Sequence, residues 1–380
     1  VGAAVDFSSE PFLEQTRSVL SFGKLRASYG VTGNDQIGDY QYLDTYQITP
    51  NVYDGVIGIQ PTRLFNPKFG WETNKKFEAA MELGFFQDRI FLSASWFRNR
   101  SSNQLVGVPL PGTTGFPTLQ ANLDATVENT GFEFEWRSEN FKSKDFSWIT
   151  SLNLTIPRNK LLAFPDLETS TYKNRFMVGQ SIFIQKLYHY TGIDQDTGLH
   201  TVEDVNGDGA ITAAEDLTSF IDFSPKYYGG IANQLTYKNW SLDFLFQFVK
   251  QKGAAMTNSF LVPGAFSNQM SQVQSHFPVD GNAAVAQLYT TGENADAVQA
   301  YNNFVLSDAM VQDASFVRLK SLSLSYTLPS LWSPTTSARI YLQGQNLLTF
   351  TKYEGADPEN NSAYFLPPLR QFTLGAQISF

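Results

Sequence analysis

Cysteine is absent from these 380 residues. Disulfides, thiolate metal sites and a cysteine nucleophile are therefore excluded. Histidine is scarce. His189, His200 and His276 are the only three, and their spacing fits no H-E-x-x-H or other ligand pattern. Charged residues make up 17% of the chain, which is low for a soluble globule. Yet no run of 18 or more apolar residues occurs, so no transmembrane helix is expected. Acidic residues outnumber basic ones, giving a net charge of −9. Without a basic stripe to neutralise phosphates, a nucleic-acid partner is not expected. The opening residues carry no basic-plus-apolar leader pattern. The chain opens without Met on VGAAVDF, which reads like the end of a strand and suggests a fragment.

Aromatic residues, by contrast, are plentiful, with 32 Phe and 17 Tyr in 14% of the chain counted with Trp. They recur in segments of about ten residues that alternate apolar and polar, the signature of strands crossing a bilayer. Phe77, Ala79, Met81, Leu83 and Phe85 fall on one face of such a segment, with Glu78 and Glu82 on the other. After Gln87-Asp88-Arg89, the residues Ile90, Leu92, Ala94 and Trp96 repeat the pattern. Phe132, Phe134 and Trp136 oppose Glu133, Glu135 and Arg137, and Trp148, Leu152, Leu154 and Ile156 share a face. Leu322, Leu324, Tyr326 and Leu328 form a later stripe, and Phe372, Leu374, Ala376, Ile378 and Phe380 form the last.

Ten or eleven strands of about the 9–11 residues needed to span a bilayer are expected. Short links at 87–89, 138–145, 238–239 and 329–336 alternate with long segments at 32–71, 101–126, 158–219, 250–312 and 349–369. Short turns on one side and long loops on the other characterise an outer-membrane barrel. A soluble β-sandwich or propeller also alternates, but rarely carries structureless loops of such length. The expected fold is all-β, an antiparallel transmembrane β-barrel.

No G-x-S-x-G elbow, P-loop or dinucleotide-binding glycine pattern is present. Glu133 and Glu135 lie on one strand face, about 7 Å apart along the strand, but with Arg137 beside them they read as a hydrated lumen wall. The protein is not expected to be an enzyme. One motif does carry chemistry. DVNGDGAITAAE, 204–215, fits the twelve-residue calcium loop at every fixed position. Asp204, Asn206, Asp208, the carbonyl of Ala210 and the two oxygens of Glu215 would supply hard oxygen donors, and Gly209 the sharp turn. No helix precedes the loop, and TAAEDLTSF after it has room for a turn or two. A structural calcium ion stiffening a long external loop is expected, rather than a sensor. The alternative is a metal-free turn whose Asp, Asn and Gly suit its backbone. The long segments also hold Tyr40, Tyr42, Tyr46, Tyr53, Phe116, Tyr289 and Tyr301, available to stack on sugars, to pack against a partner or to pack within the loops.

Several stretches resemble the SusC/RagA family of TonB-linked outer-membrane proteins of Bacteroidetes. They are KLRASYGVTGN (24–34), the segment 66–106 opening NPKFGWETNKKFE, NTGFEFEW (129–136), DVNGDG (204–209), the segment 226–248 opening KYYGGIANQ, RLKSLSLSYTLP (318–329) and RIYLQGQNLLTFTKYEGADPE (339–359). The resemblance covers the whole chain, in order, and only the later part of that family's barrel. It implies a 22-stranded barrel around an N-terminal plug, with this chain supplying roughly the C-terminal half and the plug absent. It implies bacterial outer-membrane import of oligosaccharides or peptides, handed over by a SusD-like surface lipoprotein and driven by the TonB complex through the missing plug region. The strand ending in Phe380 would be the barrel-assembly signal, and residues 204–215 would lie within an extracellular loop. A calcium-dependent soluble β-sandwich adhesion protein and a self-contained passive porin are the competing expectations.

Overall fold

The computed structural model describes all residues except 9, 35–39, 41–42, 117, 257–259, 270–286, 288, 330–336, 363–364 and 380. Tyr42, His276 and Phe380 therefore lie outside the described residues. The principal strands are β1 (Gly2–Asp6), β2 (Leu20–Asn34), β3 (Glu72–Phe85), β4 (Ile90–Ser102), β5 (Thr126–Lys142) and β6 (Phe146–Ala163). They continue through β7 (Tyr227–Tyr237), β8 (Trp240–Lys250), β9 (Phe316–Leu328), β10 (Ser337–Thr351) and β11 (Gln371–Ser379). All eleven form a single antiparallel sheet in which neighbours in sequence are neighbours in space. One continuous sheet, rather than two packed ones, excludes the sandwich alternative.

Several strands outrun the expected 9–11 residues. β5 has 17 and β6 has 18. The expected link at 138–145 shrinks to 143–145, because pairing continues past a bulge that leaves Asn140 as the extra residue. Its side chain is used there, donating to Thr150 Oγ1 at 2.7 Å. The two-residue link at 238–239 is as expected, with Lys238 at φ 51°, the positive value such a hairpin requires.

Register sorts the side chains onto two chemically distinct faces. Leu25, Met81, Ala94, Phe134 and Leu154 are successive partners across β2 to β6. One residue along, Lys24, Glu82, Ser93, Glu135 and Asn153 are partners in the next row. Across β8 to β11 the rows Leu242–Leu324–Leu342–Leu374 and Asp243–Ser323–Gln343–Thr373 repeat the contrast. On the apolar face Leu342 is 51% and Leu374 77% exposed. So large an apolar surface is stable only against a nonaqueous solvent.

Aromatic residues bound the apolar face at both ends. Trp136, Phe141, Trp148, Tyr237, Trp240 and Tyr326 lie toward the short turns. Phe77, Trp96, Phe132, Tyr227, Phe248 and Phe350 lie toward the long connections. Tyr227 to Tyr237 spans about 34 Å of strand, or about 25 Å of bilayer height at a tilt of roughly 40°. That matches the apolar band of a membrane barrel.

The long connections contain their own structure. Antiparallel pairs form between Thr45–Tyr53 and Val56–Arg63, Gln104–Pro109 and Thr118–Leu123, and Ile184–Leu187 and Ser219–Asp222. A helix, α1 (Ala295–Val305), is capped by Asn294, whose Oδ1 accepts from the Ala297 N–H at 3.1 Å. Close packing concentrates where these connections meet the ends of β5 and β6, in a cluster of Ala125, Val127, Leu161, Phe164 and Leu167.

Candidate functional site

The polar face of the sheet is a wall of paired charges and amides. Arg26 on β2 reaches across to β3, where it binds Glu78 and, at 3.1 Å, Glu82. Glu133, on the same face, accepts from Ser95 Oγ at 3.4 Å. Glu133 and Glu135 both fall on this polar face, in register with Ser95 and Ser93, so the pair belongs to a charged, polar wall, as its sequence context indicates. Near the long connections the wall holds Arg318 of β9, whose side chain is 1% exposed. Its guanidinium donates to Asp357, to Glu359 at 2.6 Å and to Thr349 Oγ1 at 3.0 Å. A buried guanidinium is stable only when its donors are matched. The carboxylates come from the connection between β10 and β11, so the pairing anchors that loop to the wall.

A second assembly joins the loops that follow β6 and β8. The Tyr188 N–H donates to the Leu306 carbonyl at 3.1 Å, and the Asp308 N–H returns to Tyr188 at 3.0 Å. Asp308 also accepts from the Tyr190 N–H at 3.0 Å and meets His189 Nδ1 at 2.8 Å. His200 stacks on Phe304 of α1, with centroids 3.8 Å apart and planes 9° apart, and bonds the Tyr190 hydroxyl at 3.0 Å. Burial lowers the His200 pKa to about 4, whereas the hydrogen bond to Asp308 raises that of His189. Below this junction, Lys250 and Ser315 hold Asp313 down to about 2. Neither the helix nor the junction was expected from sequence. Asn294 followed by ADAVQAYNNFV is the signal that could have revealed α1. The two histidines lie 11 positions apart and gave no such sign.

Residues 204–215 form a compact loop in which the expected donors gather only in part. Asn206 Nδ2 bridges Asp208 Oδ2 at 3.0 Å and Glu215 Oε2 at 2.9 Å. The Asp204 carboxylate instead receives the N–H groups of Gly207 and Gly209, each at 2.8 Å. The Ala210 N–H donates to Asp208 Oδ1 at 2.8 Å. Among the described residues no group of three or more His, Cys, Asp or Glu stands ready to hold a metal. After the loop a single helical turn forms, the Asp216 N–H donating to the Thr212 carbonyl at 3.0 Å, and it does not continue into a helix. Asp216, fully buried, accepts from the Val205 and Thr212 N–H groups and draws the chain back instead, and Ser219 then opens a strand. Of the loop aromatics, Tyr40, Tyr46 and Tyr289 are exposed, but Tyr301 is 7% exposed. It belongs to α1, where its ring lies beside Phe304 and meets His200.

This geometry meets known proteins at one point. Residues 17–347 match the family described as TonB dependent receptor-like, beta-barrel. The TonB-dependent receptor P3 of Formosa agariphila is 29% identical, matching 99% of this chain and 41% of its own length. The TonB-dependent receptor SusC of Bacteroides thetaiotaomicron is 26% identical over 98% of this chain and 39% of its own. Among solved structures, that of the RagAB peptide transporter superposes with a TM-score of 0.82 at 26% identity, covering all of this chain and 43% of the other. The RagAB peptide importer in its 'closed-closed' state gives 0.83 at 25% identity. The chain thus spans about two fifths of the length of these relatives. With an apolar band between two aromatic girdles, an ion-lined inner wall and that match over most of its residues, the chain is an outer-membrane β-barrel segment belonging to the TonB-dependent receptor-like β-barrel family.

Proposed function

We propose that this chain works as the C-terminal barrel portion of a TonB-dependent importer, taking up glycans or peptides delivered by a SusD-like surface lipoprotein, and that it carries out no covalent chemistry. The observation that carries the reading is the two-faced sheet. A lipid-compatible exterior backs a polar, charge-bearing wall, as the interior of a transport barrel requires. The external loops, joined to one another by the Tyr188–Asp308 contact and to the wall by Arg318–Asp357, would form the vestibule beneath the lipoprotein. A plug and a TonB-contacting segment would complete the transporter. Residues 204–215 would hold one structural calcium ion. Supporting that part, the Asp208 and Glu215 carboxylates converge on one point, now filled by Asn206 Nδ2, where a hard cation would be met by the same oxygens.

The test is uptake by the native organism. Deleting the encoding gene should abolish uptake of one oligosaccharide or peptide class, and loss of TonB should reproduce that defect. Affinity purification of the native protein should bring down a surface lipoprotein. Unchanged uptake of both solute classes after deletion would overturn the importer reading.

A further inference from the structure

The outward face of β3 to β6 changes character abruptly just beyond the aromatic girdle at the long-connection end. Phe77, Arg98, Thr130 and Arg158 are partners in one row, and Lys75, Arg100, Glu128 and Lys160 in the next. These side chains point to the same side as Met81, Ala94 and Phe134, since alternate residues share a face. Five cations thus stand with one carboxylate, and Arg100 already binds that carboxylate at 2.6 Å. Lys75, Arg98, Arg158 and Lys160 meet no carboxylate among the described residues. Arg158 donates only to the carbonyls of Pro157, at 2.8 Å, and Lys226, at 3.1 Å.

Immediately toward the bilayer, β1 to β5 line an open apolar groove of about 580 Å³, which shares β3, β4 and β5 with the cation rows. Ala27, Ala79 and Ala94 lie along its floor, and Met81, Phe132 and Phe134 also line it. Two rows of cations above a long apolar groove on a lipid-facing wall have the polarity of one amphiphile. We propose that this face is a binding site for a phosphate-bearing lipid of the outer leaflet. One acyl chain occupies the groove, and the phosphate sits between Arg98, Arg158 and Lys75. Long loops are extracellular in such barrels, so the cations lie at the depth of the outer-leaflet headgroups. Arginine forks match phosphate oxygens bidentately, and Lys stems extend along apolar surface to reach the same plane. The proposal depends on the outer-membrane setting and not on which solute is imported.

The test uses the full-length protein, stripped of lipid in nonionic detergent, with bis-phosphorylated and phosphate-free lipid A as probes. Native mass spectrometry should show the phosphorylated form retained far more tightly. The triple variant Lys75→Gln/Arg98→Gln/Arg158→Gln should weaken that retention on the order of a hundredfold, about fivefold for each cation removed. Ala79→Trp, which fills the groove, should weaken both probes alike. Equal retention of the two probes by the unaltered protein would overturn the proposal, and this comparison requires no variant to fold. A folded triple variant, verified by heat-modified gel mobility, that kept its preference for the phosphorylated probe would overturn it too. Either result would reduce the face to ordinary annular contact.

Discussion

The strand wall and the external loops solve opposite problems with the same chain. The wall exposes Leu342, Leu374 and Phe372 outward and pairs Arg26 with Glu78 and Glu82 inward. Its order comes from a backbone ladder that satisfies every interior strand, plus a solvent that welcomes the apolar face. The loops meet water on their outer side, so they bury what the wall exposes. Phe164, Leu167 and Tyr301 lie inside them, beside buried Asp216, His200 and Ser307. The comparison teaches that burial is a poor guide to importance in the wall and a good one in the loops. In the wall, the side of the sheet decides.

The largest expected effect lies where the two regions meet. Arg318→Ala leaves Asp357 buried without its partner, a loss of about 3–5 kcal/mol for a broken buried pair. Accelerated proteolysis within 352–370, with the barrel itself still folded, is the expected readout. Uniform unfolding of the whole sheet would show that the anchor serves the wall rather than the loop.

Next come charges placed on the two faces. Leu324→Arg or Phe134→Arg should cost about 2–4 kcal/mol near the bilayer midplane. Ser323→Arg and Glu133→Arg, on the inner wall, should cost far less. Folding titrations into lipid vesicles measure the difference, and equal tolerance on both faces would reverse the assignment of inside and outside.

The loop junction should respond to pH with two opposing signs. His200 has a folded pKa of about 4, below the ordinary 6.5 or so of the unfolded chain. Its contribution is therefore complete above about 6.5 and is lost as pH falls toward 4, up to about 3 kcal/mol in all. His189 is raised by Asp308, so its smaller contribution is present below its unfolded pKa and fades as pH rises through the folded value. Amide exchange at Tyr188 and Asp308, followed from pH 4 to 8, should show faster opening on the acid side. His200→Phe should flatten that acid branch, and an unchanged acid branch would locate the responsible proton elsewhere.

The smallest effect is expected from calcium. Millimolar calcium, the range of weak extracellular modules, should slow proteolysis within 204–215, and Asp208→Ala should remove the protection. The rest of the loops should be indifferent, because Asp216 holds the turn through Val205 and Thr212 without an ion.

Much of the wall was legible because a period of two is a local property. YYGGIANQLTY and WSLDFLFQFV mark β7 and β8 to within a residue. The extra length of β5 and β6 was hidden, since ENFKSKD looks like a link until pairing across the bulge at Asn140 carries the strands through it. In the loops, the calcium-type spacing was visible but its geometry was not. Asp216, one position past the motif, organises the turn through contacts that spacing does not encode. His189 and His200 were invisible as a pair of functions because their partners, Asp308 and Phe304, lie over a hundred positions away.

By itself, then, the sequence determined an antiparallel membrane wall with one apolar and one polar face, because alternation and turn chemistry act between near neighbours. Only the tertiary structure decided which loops touch, where Arg318 finds its carboxylates, and how Arg98 and Arg158 come to stand in one row above a groove. Those outcomes depend on register between strands and on packing between distant segments, and both are settled only when the whole sheet forms.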